Sequence, residues 1–259
     1  MRHVASVAGR ELRSLFVSPA AYGVLSLFSV LAGIFFILDL GWFEQVVMRY
    51  QQYPDQLADF NLNDGLIREF YGSMSVVLLF LIPAITMGAY AAEKTNGTEE
   101  LLLTSPLTIW DIVLGKFAAG AIFIAVLVGV VGLFPGMLFF YGDPELGKTA
   151  TGLLGILLTG WTYVAIGGVA SAISRSQIIA FLITLVVLIT LLLVPAVADF
   201  GVAGAAPGVA DLLRYLATQI HFEPLLKGLV DTADLAYFAV VIGISLLITK
   251  AVVESVRWR

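Results

Sequence analysis

The chain of 259 residues contains no cysteine and only two histidines, His3 and His221. Without cysteine there can be no disulfide, thiolate nucleophile or cysteine-ligated metal, and the redox compartment is not indicated. His221 has no carboxylate and second histidine at ligand spacing, so we expect no metal site. We also expect no GxxxxGK[ST] loop that binds nucleotide, and there is no HExxH pair. The sequence therefore predicts a chain that is not itself an enzyme.

Charged residues are scarce, at 13%, whereas hydrophobic residues make up 59% and the mean hydropathy is +0.97. A soluble domain cannot bury this much apolar surface. Because the charges are clustered, they leave apolar windows of roughly 20 residues, the length that crosses a hydrocarbon core as helix. We predict one all-α membrane domain over 1–259 with six spans, at about 20–40, 71–92, 117–142, 149–174, 176–198 and 235–254.

The distribution of basic residues predicts the orientation. If the N-terminus faces the cytoplasm, that side holds Arg2, Arg10, Arg13, Lys94, Lys116, Arg175, Lys250, Arg257 and Arg259. The opposite side holds only Arg49, Arg68, Lys148, Arg214 and Lys227. We therefore expect both termini to be cytoplasmic, with no cleaved signal before the first span. The formal net charge of −5 makes nucleic acid an unfavourable partner.

Residues 2–18 have the pattern of an amphipathic helix on the inner membrane surface, with Val4, Ala8 and Leu12 on one face. The simpler interpretation is a membrane anchor. Glu11 interrupts the apolar face, and its carboxylate is better satisfied by protein than by acyl chains.

The inner passage 93–116 has the signals of a helical elbow. Asn96 and Glu99 have capping-box spacing, Pro106 interrupts, and Thr108 with Asp111 repeats the start signal. A short helix at about 97–104 would carry exposed leucines, which favours docking on another protein over a plain connector. The residues that we expect to serve this docking are Glu93, Lys94, Gly97, Thr98, Glu99, Glu100, Leu101, Leu102 and Pro106, together with Glu11.

Two further groups lie inside the predicted spans. Pro83 and Pro135 each remove a backbone donor, and Trp161 and Tyr163 lie away from the interfaces where such rings concentrate. These four are candidates for a substrate path, although core packing explains them as well. Gly132 and Gly136 have the spacing that permits close helix contact.

The segment 199–234 is too apolar for a simple loop. Leu212, Leu216 and Ile220 recur at helical spacing and Pro224 then breaks the pattern, so we predict two short re-entrant helices on the outer side.

Several stretches together resemble one known family. They are AGRELRSLFVSPAAY over 8–22, SMS over 73–75, PAITM over 83–87, Glu93-Lys94, GTEELLLTSP over 97–106, Gly115-Lys116 and HFEP over 221–224. The chain resembles permeases of the type-2 ABC exporter family, with the gliding-motility-type permeases as the most similar subgroup and the nitrous-oxide-reductase-maturation permease as a more distant relative.

The resemblance implies a six-span permease that dimerises with itself or with a second permease and engages two cytoplasmic ATP-binding subunits. It makes 2–18 a connecting helix, the region near 95–105 a coupling helix, and 199–234 outer re-entrant helices. The resemblance implies that ATP and magnesium bind the partner ATPase and that this chain binds no cofactor. It also implies that the complex lies in a bacterial inner membrane. The complex would export a substrate or transmit force to an outer or periplasmic partner. The alternatives are a non-transporting anchor or assembly factor and, less favoured, an intramembrane enzyme.

Overall fold

A computed structural model of the chain describes residues 2–50, 61–97, 107–200 and 207–257. Its elements are α1 (Arg2–Val17), α2 (Pro19–Tyr50), a π-helical turn (Asn63–Ile67), α3 (Arg68–Thr86), α4 (Gly88–Thr95), α5 (Ile109–Tyr141), α6 (Leu146–Ile173), α7 (Gln177–Phe200), α8 (Pro207–Leu216), α9 (Thr218–Leu226) and α10 (Thr232–Arg257). Among these described residues there is no strand.

Within the part of the chain that the structure describes, six segments are long and apolar enough to cross a membrane. They are Ala21–Arg49, Asn63–Thr95, Ile109–Tyr141, Leu146–Ile173, Gln177–Ala196 and Thr232–Ser255. The prediction of an all-α polytopic membrane protein with six spans is therefore confirmed.

Two helices extend well beyond the predicted windows. The first spanning helix continues past Asp39 to Tyr50, and α5 begins at Ile109 rather than near 117. The sequence windows were bounded by charged residues, but charged side chains do not interrupt the backbone hydrogen bonds of a helix, so the helix can continue through them. Lys116 therefore lies within a spanning helix and not in the connecting passage where the sequence placed it.

Helix α6 lies at the centre of the bundle, packed against α3, α5, α9 and α10. Its glycines make this possible. A Cβ atom added at Gly152 would lie 2.5 Å from the Tyr71 ring, and one at Gly160 would lie 2.5 Å from Ile124 Cγ2. Neighbouring backbones approach closely at these positions because no side chain intervenes.

The first and last described helices reach the same end of the bundle, which we call the α1 end. Val7 of α1 packs onto Gly115 near the start of α5. Val253, near the end of α10, joins a buried cluster with Tyr90 and Ile112. A chain whose first and last helices reach the same end of the bundle must cross the membrane an even number of times, which agrees with six spans. The opposite end, which we call the α9 end, carries α8 and α9.

Candidate functional site

The α1 end contains a buried charged group that we call the Lys116 cluster, formed by Glu11, Glu93 and Lys116. The Lys116 Nζ atom donates to Glu93 Oε1 at 2.8 Å and to Glu11 Oε1 at 3.3 Å. It also donates to the Ala89 carbonyl at 2.7 Å and lies 5.3 Å from the centre of the Tyr90 ring. The side chain of Lys116 is only 4% exposed, against 22% for Glu11 and 23% for Glu93. One ammonium group thus connects α1, α4 and α5.

The connection to α1 depends on close packing as well as charge. A Cβ atom at Gly115 would lie 2.6 Å from Val7 Cβ, so glycine is needed for α1 to reach α5 at this distance. Ala8 is buried beside Val7, and Glu11 follows one turn later. The prediction that Glu11 contacts protein rather than acyl chains is confirmed by its contact with Lys116.

Helix α4 is fixed to the end of α6. The Ser171 hydroxyl accepts hydrogen bonds from the Tyr90 and Ala91 N–H groups, at 3.0 and 3.1 Å, and donates to the Met87 carbonyl at 2.9 Å. These bonds satisfy backbone groups at the break between α3 and α4. Lys94 Nζ donates to the Ala172 carbonyl, and this holds the C-terminal turn of α4.

The two sides of the passage 93–116 differ in how the helices end. Helix α4 ends at Thr95, and the N–H of its C-cap residue Asn96 donates to the Ala92 carbonyl at 3.0 Å. Gly97 follows with a left-handed φ of +69°. Helix α5 starts with the predicted capping box: Asp111 N–H donates to Thr108 Oγ1 at 3.2 Å and Thr108 N–H to Asp111 Oδ2 at 3.1 Å.

The remaining docking residues lie outside the described residues. They are Thr98, Glu99, Glu100, Leu101, Leu102 and Pro106. The predicted helix at 97–104 and the pairing of Asn96 with Glu99 stay predictions.

A cleft of about 370 Å³ opens beside the Lys116 cluster. Glu11, Ser14 and Lys116 give it a polar side, whereas Ile85 and Val164 belong to its apolar lining. Its volume lies at the lower end of the range for small-molecule sites.

The four residues proposed for a substrate path lie elsewhere in the bundle. Trp161 Nε1 donates to the Ala121 carbonyl at 3.0 Å, and Tyr163 is only 4% exposed within the main apolar core. Pro83 and Pro135 are buried inside α3 and α5. The described cleft is lined by other residues, so their role in a path stays a prediction.

Residues 142–149 read Gly-Asp-Pro-Glu-Leu-Gly-Lys-Thr, which matches the spacing GxxxxGK[ST] and corrects the expectation that this pattern is missing. The structural context is not that of a phosphate loop, which follows a strand: here Gly142 ends α5 and α6 begins at Leu146. Lys148 Nζ is bound to Asp64 at 3.2 Å and to Glu145 at 3.4 Å. The lysine thus connects the start of α6 to the π-helical turn.

At the α9 end the two short helices meet at Ala217 and not at the predicted break, Pro224, which lies inside α9. Side chains of α9 and α10 account for the junction at Ala217. The Tyr237 hydroxyl donates to the Leu216 carbonyl at 2.8 Å, and His221 Nε2 lies 3.0 Å from the Tyr215 carbonyl. Both acceptors are last-turn carbonyls of α8, which would otherwise lack partners.

His221 does have a carboxylate partner, contrary to the sequence analysis. Its Nδ1 atom lies 2.7 Å from Asp234 Oδ1. The chain reverses after α9 at Gly228, where φ is +83°, and returns Asp234 to His221. A glycine directly after an apolar helix is the sequence signal that could have predicted this reversal of the chain. Among the described residues, no group of three metal-ligating side chains is present.

These features define a multi-pass helical membrane protein with buried charged or polar clusters towards the two ends of its bundle. A family model described as ABC-2 family transporter protein matches residues 5–253. This match covers nearly the whole chain, and the chain therefore belongs to the ABC-2 transporter family.

Two curated relatives carry the name probable multidrug ABC transporter permease YbhR, one from Escherichia coli (strain K12) and one from Escherichia coli O157:H7. Each is 27% identical over 154 residues, which cover 54% of this chain and 41% of the relative. The aligned region thus spans about two-fifths of the length of these relatives.

Proposed function

We propose that the chain is the membrane permease subunit of an ATP-binding-cassette exporter, powered by a separate ATPase that docks on the passage 93–116. Family membership supports the permease class. The gliding-motility-type subgroup and force transmission to an outer partner are finer proposals within the same class.

The observation that carries the proposal is the Lys116 cluster. The passage 93–116 leaves the bundle at α4 and returns at α5, and Lys116 connects both helices to α1 through Glu93 and Glu11. A push on the passage would therefore move three elements as one unit, since separating the lysine from its carboxylates leaves buried charge without a partner. This is the property required of a coupling element.

The partners and location follow from the same proposal. Two ATPase subunits would hold ATP and magnesium, and a second permease, identical or related, would complete the membrane domain. The excess of basic residues at the α1 end supports the proposal that this end, with both termini, faces the cytoplasm of a bacterial inner membrane.

The substrate class to test is small amphipathic or apolar organic molecules. The cleft beside the Lys116 cluster opens at the proposed cytoplasmic end and combines charged and apolar lining. The relatives' names mention multidrug transport, and we extend that term to this chain only as a candidate.

The test is reconstitution of the chain in lipid vesicles with and without its cognate ATPase. We expect ATP hydrolysis and ATP-dependent flux only with the ATPase present. Flux driven by a proton or sodium gradient without that partner would contradict the proposal.

A coupling variant makes the test specific. Glu11→Gln should lower the substrate moved per ATP hydrolysed, because α1 loses its charged contact with Lys116. Glu254→Gln is the matched control, since Glu254 lies away from the Lys116 cluster in sequence and pairs with Lys250 at 3.1 Å on a partly exposed turn of α10. Equal coupling in both variants would remove the Lys116 cluster from the mechanism.

A further inference from the structure

At the α9 end, His221 connects three helices through its imidazole ring. Its Nδ1 atom lies 2.7 Å from Asp234 Oδ1 on α10, and its Nε2 atom lies 3.0 Å from the last-turn carbonyl of Tyr215 on α8. The ring also stacks on Tyr237 with 4.0 Å between centroids. Both ring nitrogens are therefore committed to contacts with neighbouring helices.

The two contacts fix the number of protons that the pair must hold. A backbone carbonyl can only accept, so Nε2 carries a hydrogen. The contact between Nδ1 and Asp234 then needs a second hydrogen, either on the ring as an imidazolium facing a carboxylate or on the carboxyl group facing a neutral ring. In both forms the pair contains one proton more than a neutral imidazole and a carboxylate, and its net charge is zero.

Release of that proton to water breaks one of the two bonds. A neutral imidazole has a single N–H, which cannot serve both the Asp234 carboxylate and the Tyr215 carbonyl. The unserved contact becomes two lone pairs facing each other. The side chains of His221 and Asp234 are only 5% and 12% exposed, so water screens the net charge of −1 poorly.

The other described ionisable side chains on neighbouring elements have partners of their own. Tyr237 donates to the Leu216 carbonyl, Asp231 accepts from the Ala233 N–H, Arg214 lies 3.9 Å from Asp211, Glu223 binds Arg68 and Lys227, and Lys148 binds Asp64 and Glu145. Tyr215 contacts the imidazole edge-on, with 4.9 Å between centroids, and Tyr163 is buried in the core.

The position of α9 depends on this pair. Phe222, next to His221, packs so closely on α6 that a Cβ atom at Gly155 would lie 3.0 Å from its ring. Loss of the His221 contacts would leave the contact between Thr218 Oγ1 and the Tyr237 hydroxyl, at 3.2 Å, as the polar link from α9 to α10 among the described residues. It would therefore loosen α9, and with it the Phe222 ring over Gly155, without detaching the helix.

We propose that His221 and Asp234 form a proton-binding site that fastens α9 to α8 and α10, closed with the proton bound and loosened when the proton leaves. The ligand is a proton from the aqueous side at the α9 end. The proposed function assigns no role to these residues, so the site is additional to it and can fail or hold independently.

Nitrogen NMR of the full chain in lipid nanodiscs tests the proton count. With His3→Gln, every remaining histidine signal comes from His221. We expect Nε2 to appear as a protonated, pyrrole-type nitrogen, and its signal to change as the pH rises and the pair deprotonates. An unprotonated, pyridine-type Nε2 at all pH values would overturn the proposal.

Spin-label distances test the fastening. The chain has no native cysteine, so labels can be placed at Ile220→Cys on α9 and Val240→Cys on α10, both partly exposed. We expect a second population with a longer distance as the pH rises within the range where the chain stays folded. A control pair at Val17→Cys and Ile173→Cys, at the α1 end, should not change.

The variant Asp234→Asn distinguishes an effect of the bound proton from a general effect of pH on the fold. The amide can donate to Nδ1 of a neutral ring while Nε2–H still binds the Tyr215 carbonyl, so both contacts persist without an extra proton. We expect this variant to keep the shorter distance at every pH. A longer-distance population that still grows with pH in Asp234→Asn, or that is missing from the parent chain at every pH, would overturn the proposal.

Discussion

The two ends of the helix bundle are held by clusters of different chemistry. At the α1 end, Lys116 is almost fully buried and is bound by two carboxylates and a backbone carbonyl. At the α9 end, the buried pair is His221 with Asp234, and an exposed network joins Arg68, Glu223 and Lys227. The α1 end is thus held by an ion pair between a lysine and two carboxylates, whereas we propose that the α9 end is held by an imidazole and a carboxylate that share a bound proton.

Under the two proposals, this difference would separate transmission of movement from regulation. An ion pair suits an end that must pass movement from one helix to another, because it forms without any further ligand. A pair that depends on a bound proton suits an end that responds to its surroundings. The two ends are therefore open to independent perturbation.

The largest expected effect is at the α1 end. Lys116→Met removes the cation and leaves Glu11 and Glu93 close together and partly buried. We expect the free energy of unfolding to fall by about 3 kcal/mol, the loss typical when one partner of a buried ion pair is removed. Thermal unfolding in detergent measures this change.

The control is Lys250→Met, whose parent side chain is 31% exposed and pairs with Glu254 within one helix. Such a pair contributes about 0–1 kcal/mol. Equal losses in the two variants would mean that the Lys116 cluster is an ordinary surface contact, and the contrast between the two ends would disappear.

The second effect tests the helix that joins the two ends. At Gly152 an added methyl group would lie 2.5 Å from the Tyr71 ring. Gly152→Ala should lower the free energy of unfolding by about 2 kcal/mol through overpacking. Gly129→Ala, where no atom lies within 4 Å of the added carbon, should instead gain up to about 1 kcal/mol from helix propensity. The same sign in both variants would contradict close packing of α6.

The fold was largely predictable because span number depends on apolar length and on clustered charge. The contacts between helices were less predictable. Gly132 and Gly136 were expected to permit close helix contact, yet only Gly132 has a neighbour, Leu153, within 4 Å of an added Cβ. The glycines of α6 are instead the positions where neighbouring helices approach closely. The spacing of residues within one helix does not reveal which other helix packs against it.

The site residues show the same limit. Glu11 was predicted to contact protein because a carboxylate on an apolar face needs a partner, and the local capping box at Thr108 followed from spacing alone. Neither Lys116 as that partner nor Asp234 as the partner of His221 could be inferred, since both pairings depend on how separate helices come together.

The smallest effect is expected in the exposed network at the α9 end. Glu223 Oε1 accepts from Arg68 Nη2 at 2.8 Å and lies 2.9 Å from Lys227 Nζ. The hydrogen bond from Lys227, with the charges of Lys227 and Arg68, holds the pKa of Glu223 below its ordinary value of 4.5. A lowered pKa in the folded chain means that the carboxylate stabilises the fold above that ordinary value, and that this contribution is lost as the pH falls through the folded pKa.

Because the Glu223 side chain is 45% exposed, solvent screening limits the contribution to less than about 1 kcal/mol. Thermal unfolding of Glu223→Gln across acidic pH should show a slightly lower melting temperature near neutrality and a shallower decline on acidification than the parent chain. The control is Glu44→Gln, a carboxylate substitution on α2 that leaves Arg68, Glu223 and Lys227 in place, and it gives the baseline for the loss of one carboxylate. A decline in Glu223→Gln as steep as the parent's would show that the network contributes nothing, leaving the His221 and Asp234 pair as the pH-dependent element of this end.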